Sequence, residues 1–153
     1  MAAARGRRDN EVELWRQLVV LTNRIGNTLD RRLQRGHGVG VAEYTALTVM
    51  RDAEKTGGVR MQDLADAVGL SQPTVSRLVT RLENGGLATR SISDEGRRVM
   101  YARITPQGKA VVAEAAGTFQ KEITTALDVA AFDERTAALV ARLRHDPGAA
   151  AGE

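Results

Sequence analysis

The sequence predicts a mainly α-helical fold with a small β component, and three observations predict it. Apolar residues recur at helical spacing over most of the 153 residues. Residues 61–82 have the pattern of two short helices that cross steeply with almost no linker. Residues 87–92 and 98–104 alternate as strands do and flank the turn residues Ser93, Asp94, Glu95 and Gly96. A hairpin behind such a helix pair indicates an α+β winged helix-turn-helix.

The first predicted helix covers residues 11–35 and follows an arm, residues 1–10, that we expect to be disordered. Asn10 and Glu13 have the spacing of a capping box at its start. The glycine-rich residues 36–40 stop this helix, and a second helix carrying Tyr44 runs to Lys55. Apolar residues recur at helical spacing in both helices. They are Val12, Trp15, Leu18, Val19, Ile25, Leu29 and Leu33 in the first helix, and Tyr44, Leu47, Met50 and Ala53 in the second.

The positions of the helix-turn-helix each have a mechanical reason. Ala65 must be small because the second helix passes close over it. Gly69 supplies the left-handed backbone that ends the first helix without steric cost. Ser71 caps the second helix, and Pro73 is tolerated because first-turn amides have no partner within the helix. A very short strand at Val59 and Arg60 is expected to lead into this unit.

Two helices follow the hairpin within residues 106–145. Thr105 and Pro106 start the first, which keeps helical period to about Leu127, and the second lies around residues 133–143. Residues 146–153 are expected to be a disordered tail. We interpret residues 41–104 as the winged helix-turn-helix domain of a single unit, residues 11–145, and residues 11–35 and 106–145 as dimerisation helices. Their apolar stripes have little surface left in one chain to cover them, so a second copy is favoured over a monomer with folded-back ends.

Composition excludes several kinds of function. The chain has no cysteine, so thiol catalysis, disulfides and thiolate metal sites are excluded. His37 and His145 lie far apart without a carboxylate cluster, so we expect no metal and no cofactor. No apolar run is long enough for a membrane helix, and the N-terminus lacks an apolar leader, so we expect a cytoplasmic protein. No nucleophile and base pair or phosphate-binding glycine loop is present, so we expect no catalytic residues.

The second helix of the motif carries the candidate DNA-binding residues. Val75, Leu78 and Leu82 point inward, which places short polar and guanidinium side chains on the opposite face. Arg77 is the candidate for a base edge, because a guanidinium can grip guanine with two hydrogen bonds and discriminate by about 1–3 kcal/mol. The other candidates on this helix, for base or phosphate contacts, are Ser71, Gln72, Pro73, Thr74, Ser76, Thr80 and Arg81.

The hairpin carries the remaining candidates. Arg97 and Arg98 lie at the far lip of its turn, where a wing touches the adjacent minor groove or its phosphates. The net charge is only +3, from 22 Lys and Arg against 19 Asp and Glu, so a nucleic-acid partner requires the excess to be clustered. Residues 70–109 meet that requirement: they hold Arg77, Arg81, Arg90, Arg97, Arg98, Arg103 and Lys109 against Glu83, Asp94 and Glu95.

The chain resembles the MarR family of winged helix-turn-helix transcriptional regulators. The resemblance covers about residues 15–143 and rests on the element order, the segment LADAVGLSQPTVSRLVTRLENGGLATR, the hairpin ending in Arg97 and Arg98, and the segment ITPQGKAVV. It matches Arg98 to the wing-tip arginine of that family. Gly96 stands where the family usually has an aspartate, and Ser93 and Asp94 stand in place of an Asp-Pro pair. Asp94 and Glu95 are the two carboxylates that could take over the missing one.

The resemblance implies a homodimer that binds a pseudo-palindromic double-stranded DNA operator, usually as a repressor. It also implies release by a small aromatic or phenolic effector. Tyr44 matches a pocket-lining position of similar proteins, with core packing as the alternative role. Arg24 could pair with a carboxylate of the effector or be a solvated charge.

Two other classes of function stay open from the sequence. One is a winged helix that binds a protein partner without specific DNA binding, and the other is an enzyme.

Overall fold

The computed structural model describes residues 2–93 and 98–145, with side chains from Asn10 onward. Its helices are α1 (Ala2–His37), α2 (Val41–Asp52), α3 (Met61–Val68), α4 (Gln72–Asn84), α5 (Pro106–Phe132) and α6 (Ala137–Arg144). Its strands are β1 (Val59–Arg60), β2 (Ala88–Ser93) and β3 (Val99–Ile104), and a short 3-10 helix covers Glu54–Thr56. The mainly helical winged helix-turn-helix prediction is confirmed.

The N-terminal arm was predicted wrongly. α1 begins at Ala2, so residues 2–10 are helical rather than disordered, and Asn10 lies inside the helix instead of capping it. Alanine has the highest helix propensity, and Ala2, Ala3 and Ala4 outweigh the single unfavourable position at Gly6. The predicted tail, residues 146–153, lies outside the described residues.

Other boundaries differ by a few residues for local reasons. α2 ends at Asp52, and the predicted extension to Lys55 is the 3-10 helix. α5 continues past Leu127 to Phe132. α6 begins at Ala137 because Asp133 instead forms a turn, in which its Oδ1 accepts a hydrogen bond from the Arg135 backbone N–H at 3.0 Å.

The chain divides into two units. The second unit, Asp30–Phe119, holds the helix-turn-helix and the sheet. The sheet is antiparallel in the order β1, β3, β2, and Val59 pairs with Ala102 while Ala88 pairs with Ile104. A continuous core lies between the sheet and the helices, and its fully buried large side chains include Leu33, Val39, Leu47, Met50, Leu64, Val75, Leu78, Val79, Leu82 and Val112.

The predicted turn chemistry of the helix-turn-helix is confirmed. Gly69 ends α3 with φ of 67°, a left-handed conformation that a side chain would strain, and Ala65 is buried as predicted. The Ser71 hydroxyl accepts a hydrogen bond from the Thr74 backbone N–H, and Pro73 lies in the first turn of α4. These two caps fix where α4 begins.

The first unit consists of the residues up to Leu29 and those from Gln120 onward. Its own small core contains Leu21, Ala130, Leu139 and Val140. Many of its described large apolar side chains are exposed, including Trp15 at 66% and Phe132 at 90% of their full accessibility. The remaining exposed members are Val12, Leu14, Leu18, Val19, Val129 and Leu143.

The turn between α5 and α6 is organised by Asp133. Besides the Arg135 backbone N–H, its carboxylate accepts a hydrogen bond from Arg24 Nη1 at 2.8 Å. The Arg135 backbone N–H first and Arg24 second lower the pKa of Asp133 from 3.8 to about 2. The neighbouring Thr136 is buried, and its hydroxyl donates to the Ala130 carbonyl oxygen at 2.7 Å.

We expect Asp133→Asn to lower the urea midpoint of unfolding at pH 7, because the amide keeps the turn but loses the charge that binds Arg24. A lowered folded-state pKa contributes stability above pH 3.8, and that contribution is lost as the pH falls towards 2. The gap between the variant and the natural protein should therefore close from pH 4 to pH 2. Asp128→Asn, at an exposed carboxylate paired with Arg144, is the control and should change the midpoint little. A gap that does not depend on pH would contradict this assignment.

Candidate nucleic-acid interface

The rotation of α4 is fixed by its apolar face. Val75, Leu78, Val79 and Leu82 are buried in the core of the second unit. The opposite face is therefore turned to solvent over the whole helix. It presents Gln72, Pro73 and Arg77 as exposed residues, with Thr74 partly buried beside them.

Arg77 is the exposed arginine at the middle of α4. It makes no hydrogen bond or ion pair to another side chain in the part of the chain that the structure describes. All of its guanidinium donors are therefore available to a ligand, as base recognition requires. The structure places Arg77 where the sequence predicted it.

Ser71 and Thr74 form a local hydrogen-bonded pair at the start of α4. Their hydroxyl oxygens lie 2.8 Å apart, in addition to the capping bond to the Thr74 backbone N–H. The Ser71 hydroxyl is thus committed to the helix end. Gln72, which follows it, is exposed.

Arg81 is held by α2. Its Nε donates to Glu43 Oε1 at 3.0 Å, while the other oxygen of Glu43 accepts from the Gly40 backbone N–H at 2.9 Å. The Arg81 side chain remains 62% exposed, whereas that of Glu43 is 14% exposed. Sequence analysis missed Glu43, which lies 38 positions away in the chain.

Arg90 of β2 reaches across to the flank of α4. Its Nη1 forms an ion pair with Glu83 Oε2, and its backbone N–H donates to Glu83 Oε1 at 2.8 Å. Its Nη2 donates to the Ser76 carbonyl oxygen at 2.5 Å and to Thr80 Oγ1 at 3.0 Å. The Thr80 hydroxyl donates in turn to the Ser76 carbonyl oxygen at 2.9 Å.

These contacts give Ser76 and Thr80 an intramolecular partner that sequence analysis did not foresee. Both residues are predicted to contact DNA, but Arg90 already forms hydrogen bonds with them. The available signal was weak, because Glu83 and Arg90 lie seven residues apart on two different elements.

The wing is only partly described. β2 and β3 pair from Ala88 with Ile104 to Ser93 with Val99, and Arg98, directly before β3, is exposed. Asp94, Glu95, Gly96 and the predicted site residue Arg97 lie outside the described residues.

Several basic residues within residues 70–109 are neutralised by ion pairs, so their number overstates the positive charge of the surface. Arg81, Arg90 and Lys109 form ion pairs with Glu43, Glu83 and Glu54 respectively. Among the described residues of this stretch, Arg77, Arg98 and Arg103 have no ion-pair partner. The unpaired charge is thus concentrated on α4 and the wing.

Tyr44 and Arg24, the two candidate ligand residues, lie in different units. Tyr44 is buried and stacks on Phe119, with ring centroids 4.8 Å apart. Burial raises the pKa of its phenol above 10.0, so the hydroxyl stays protonated at neutral pH. Arg24 is paired with Asp133 in the first unit. Tyr44 thus has the packing role that the sequence left as its alternative, whereas the pairing of Arg24 with Asp133 was not among the predicted roles.

The described residues contain neither a metal-binding cluster nor a membrane-spanning helix. No group of three or more histidine, cysteine, aspartate or glutamate side chains within them could hold a metal ion. None of the helices in the same residues is long and apolar enough to cross a membrane.

The fold and this surface define a class. A helix-turn-helix with a polar, basic outer face, backed by a three-stranded sheet whose hairpin projects beside it, is a winged helix-turn-helix protein. Residues 37–99, which contain this unit up to the first residue of β3, match the model of the MarR family. Over this stretch the chain is similar to the MarR family.

A curated relative is the uncharacterized HTH-type transcriptional regulator YwaE of Bacillus subtilis. It is 27% identical over 92 residues, which are 60% of this chain and 54% of YwaE. The match thus spans about half the length of that relative.

Solved structures share the fold. Sco3205, a MarR family transcriptional regulator from Streptomyces coelicolor solved in complex with DNA, is 24% identical with a TM-score of 0.72, covering 89% of this chain and 84% of that one. Bordetella bronchiseptica BpsR, whose DNA binding is regulated by 6-hydroxynicotinic acid, is 21% identical with a TM-score of 0.60, covering 85% and 91%. At these identities the likeness establishes the fold alone.

Proposed function

We propose that this protein is a sequence-specific double-stranded DNA-binding transcriptional regulator of the cytoplasm, without catalytic activity. The observation that carries the proposal is the outer face of α4, where Gln72, Pro73 and the unpaired Arg77 are exposed beside the wing. Such a helix fits the major groove, and its arginine can read guanine. The DNA complex of Sco3205 supports this function for the fold.

The remaining predicted contacts follow the same geometry. Arg98 on the wing is proposed to contact the minor groove or its phosphates, together with Arg97, and Arg81 to contact a phosphate beside α4. Ser71, Thr74, Ser76 and Thr80 are proposed to lie at the edge of the contact surface, because each already has a partner within the protein. Arg77 then carries most of the direct base reading.

The proposal includes a homodimer formed through the first unit. Eight exposed large apolar side chains of that unit, with Trp15 and Phe132 the most prominent large aromatic ones, support it. A concentration of exposed large apolar side chains in one unit is costly in water and favours an association surface. A dimer with a two-fold axis presents two copies of α4 to DNA and would bind a pseudo-palindromic operator. We propose that it acts there as a repressor.

The response to a small aromatic or phenolic acid is also a proposal. The regulation of BpsR by 6-hydroxynicotinic acid supports this ligand class. Tyr44 offers a protonated phenol and a neighbouring ring in Phe119, whereas Arg24 would have to exchange Asp133 for the acid. Tyr44 is the better supported of the two.

Selection of bound DNA from a random pool tests the function directly. We expect enrichment of a pseudo-palindrome whose half-sites lie about 34–36 Å apart, one turn of the double helix. A pool without enrichment at low salt, from folded protein, would contradict specific DNA binding. It would instead favour the alternative of a winged helix that binds a protein partner.

Arg77→Ala and Arg98→Ala should weaken binding in different ways on the selected site. Arg77→Ala is expected to lose about tenfold to a hundredfold in affinity and to relax one base position in each half-site, because it removes a base contact. Arg98→Ala is expected to weaken selected and random DNA alike and to reduce the salt slope by about one per protomer. Titrations at several salt concentrations measure both. Arg51→Ala, at an exposed arginine of α2 paired with Asp52, is the control; equal losses for all three variants would refute the assignment.

Trp15→Glu should convert the dimer into a monomer. The substitution would bury a carboxylate in an apolar contact surface, and sedimentation velocity would report the change in mass. Arg16→Glu adds the same carboxylate at the adjacent, 72% exposed side chain and should leave the dimer intact. Dimerisation unaffected by Trp15→Glu would show that this face is not the interface.

A further inference from the structure

Arg90 is the arginine that the wing directs towards the protein rather than towards solvent. Its side chain is 21% exposed and that of Glu83 is 29% exposed, so the pair is far less accessible than Arg81. Both carboxylate oxygens of Glu83 accept hydrogen bonds from this one residue, one from its backbone and one from its guanidinium. The contact therefore fixes the start of β2 and the end of α4 together.

The guanidinium also reaches further along α4. Its Nη2 contacts the Ser76 carbonyl oxygen and the Thr80 hydroxyl, while Nη1 contacts Glu83. Residues 76, 80 and 83 lie on one flank of the helix and span about 10 Å of its length, at 1.5 Å per residue. A planar fork of donors can serve these acceptors at once, whereas the single ammonium group of a lysine cannot.

These contacts restrict the orientation of the neighbouring exposed face of α4, which carries Arg77. Ser76 is adjacent to Arg77, and Thr80 is less than one turn beyond it, so their immobilisation limits rotation of α4 next to the base-reading arginine. The contacts of Arg90 add a polar restraint on the side that faces the wing.

We infer that Arg90 is a positioning residue, which holds α4 and the wing rigidly together. Glu83 in turn holds the positive charge of Arg90 away from the DNA phosphates. This inference rests on the proposed DNA-binding function. It separates the arginines of the surface into two kinds: Arg77 and Arg98 for DNA, and Arg90 for the geometry in which they act.

The test compares affinity for the selected site with affinity for random DNA at several salt concentrations. Arg90→Lys keeps the charge but loses the fork, so we expect the specific-to-random affinity ratio to fall about tenfold while the salt slope stays unchanged. Glu83→Gln releases the charge of Arg90, so we expect the ratio to fall while random-DNA affinity and the salt slope increase. Arg103→Lys, at an exposed residue of β3, is the matched control and should keep the natural ratio. All proteins are measured well below their melting temperatures.

Each outcome has a definite meaning. A purely structural role would lower the melting temperature of Arg90→Lys without changing the ratio, and that result would overturn the inference. A phosphate contact would also leave the ratio unchanged, because lysine binds phosphate well. If Arg90→Lys does not fold, an unchanged ratio in Glu83→Gln overturns the inference. A natural protein with a ratio of one would overturn the proposed function as well, whereas a high natural ratio that Arg90→Lys preserves would overturn this inference alone.

Discussion

The burial of one face of α4 is the constraint on which the reading surface depends. Val75, Leu78, Val79 and Leu82 each lose nearly all contact with water, and truncation of Leu78 or Leu82 to alanine would leave a cavity costing about 2–5 kcal/mol. Their spacing leaves a single rotation of the helix that satisfies all four. Arg77 lies outside because of that rotation, so its exposure is a consequence of core packing.

The charges around α4 show how a small net charge can still mark a surface. Glu43, Glu83 and Glu54 neutralise Arg81, Arg90 and Lys109, which leaves the unpaired guanidinium groups at fewer and better defined positions. Exposed ion pairs contribute little to folding stability. Here the ion pairs act on the arginines themselves. A paired arginine is held in one position, and its partner reduces its electrostatic field. Counting charges along the sequence cannot reveal this division.

The sequence predicts what local chemistry controls. Gly69 and Ser71 have roles fixed by backbone conformation and capping, and both could be read without a structure. The contacts of Arg81 with Glu43 and of Arg90 with Glu83 depend instead on how separate elements pack, which no local pattern encodes. The predicted start of α1 at residue 11 is wrong. Asn10 and Glu13 have the spacing of a capping box, but the helix propensity of Ala2, Ala3 and Ala4 extends the helix to Ala2.

The two units divide the unusual surfaces between them. The unpaired basic residues near the helix-turn-helix belong to the second unit. Among the residues that the structure describes, eight of the ten exposed large apolar side chains belong to the first unit. A charged surface repels its own copy, and an apolar surface attracts one in water. The proposed association surface and the proposed DNA-binding surface lie on different units, so the two can coexist without competition. In the proposed dimer, two half-sites at a fixed spacing require each α4 to keep its orientation. The inferred role of Arg90 meets that requirement, because its contacts join β2 directly to α4.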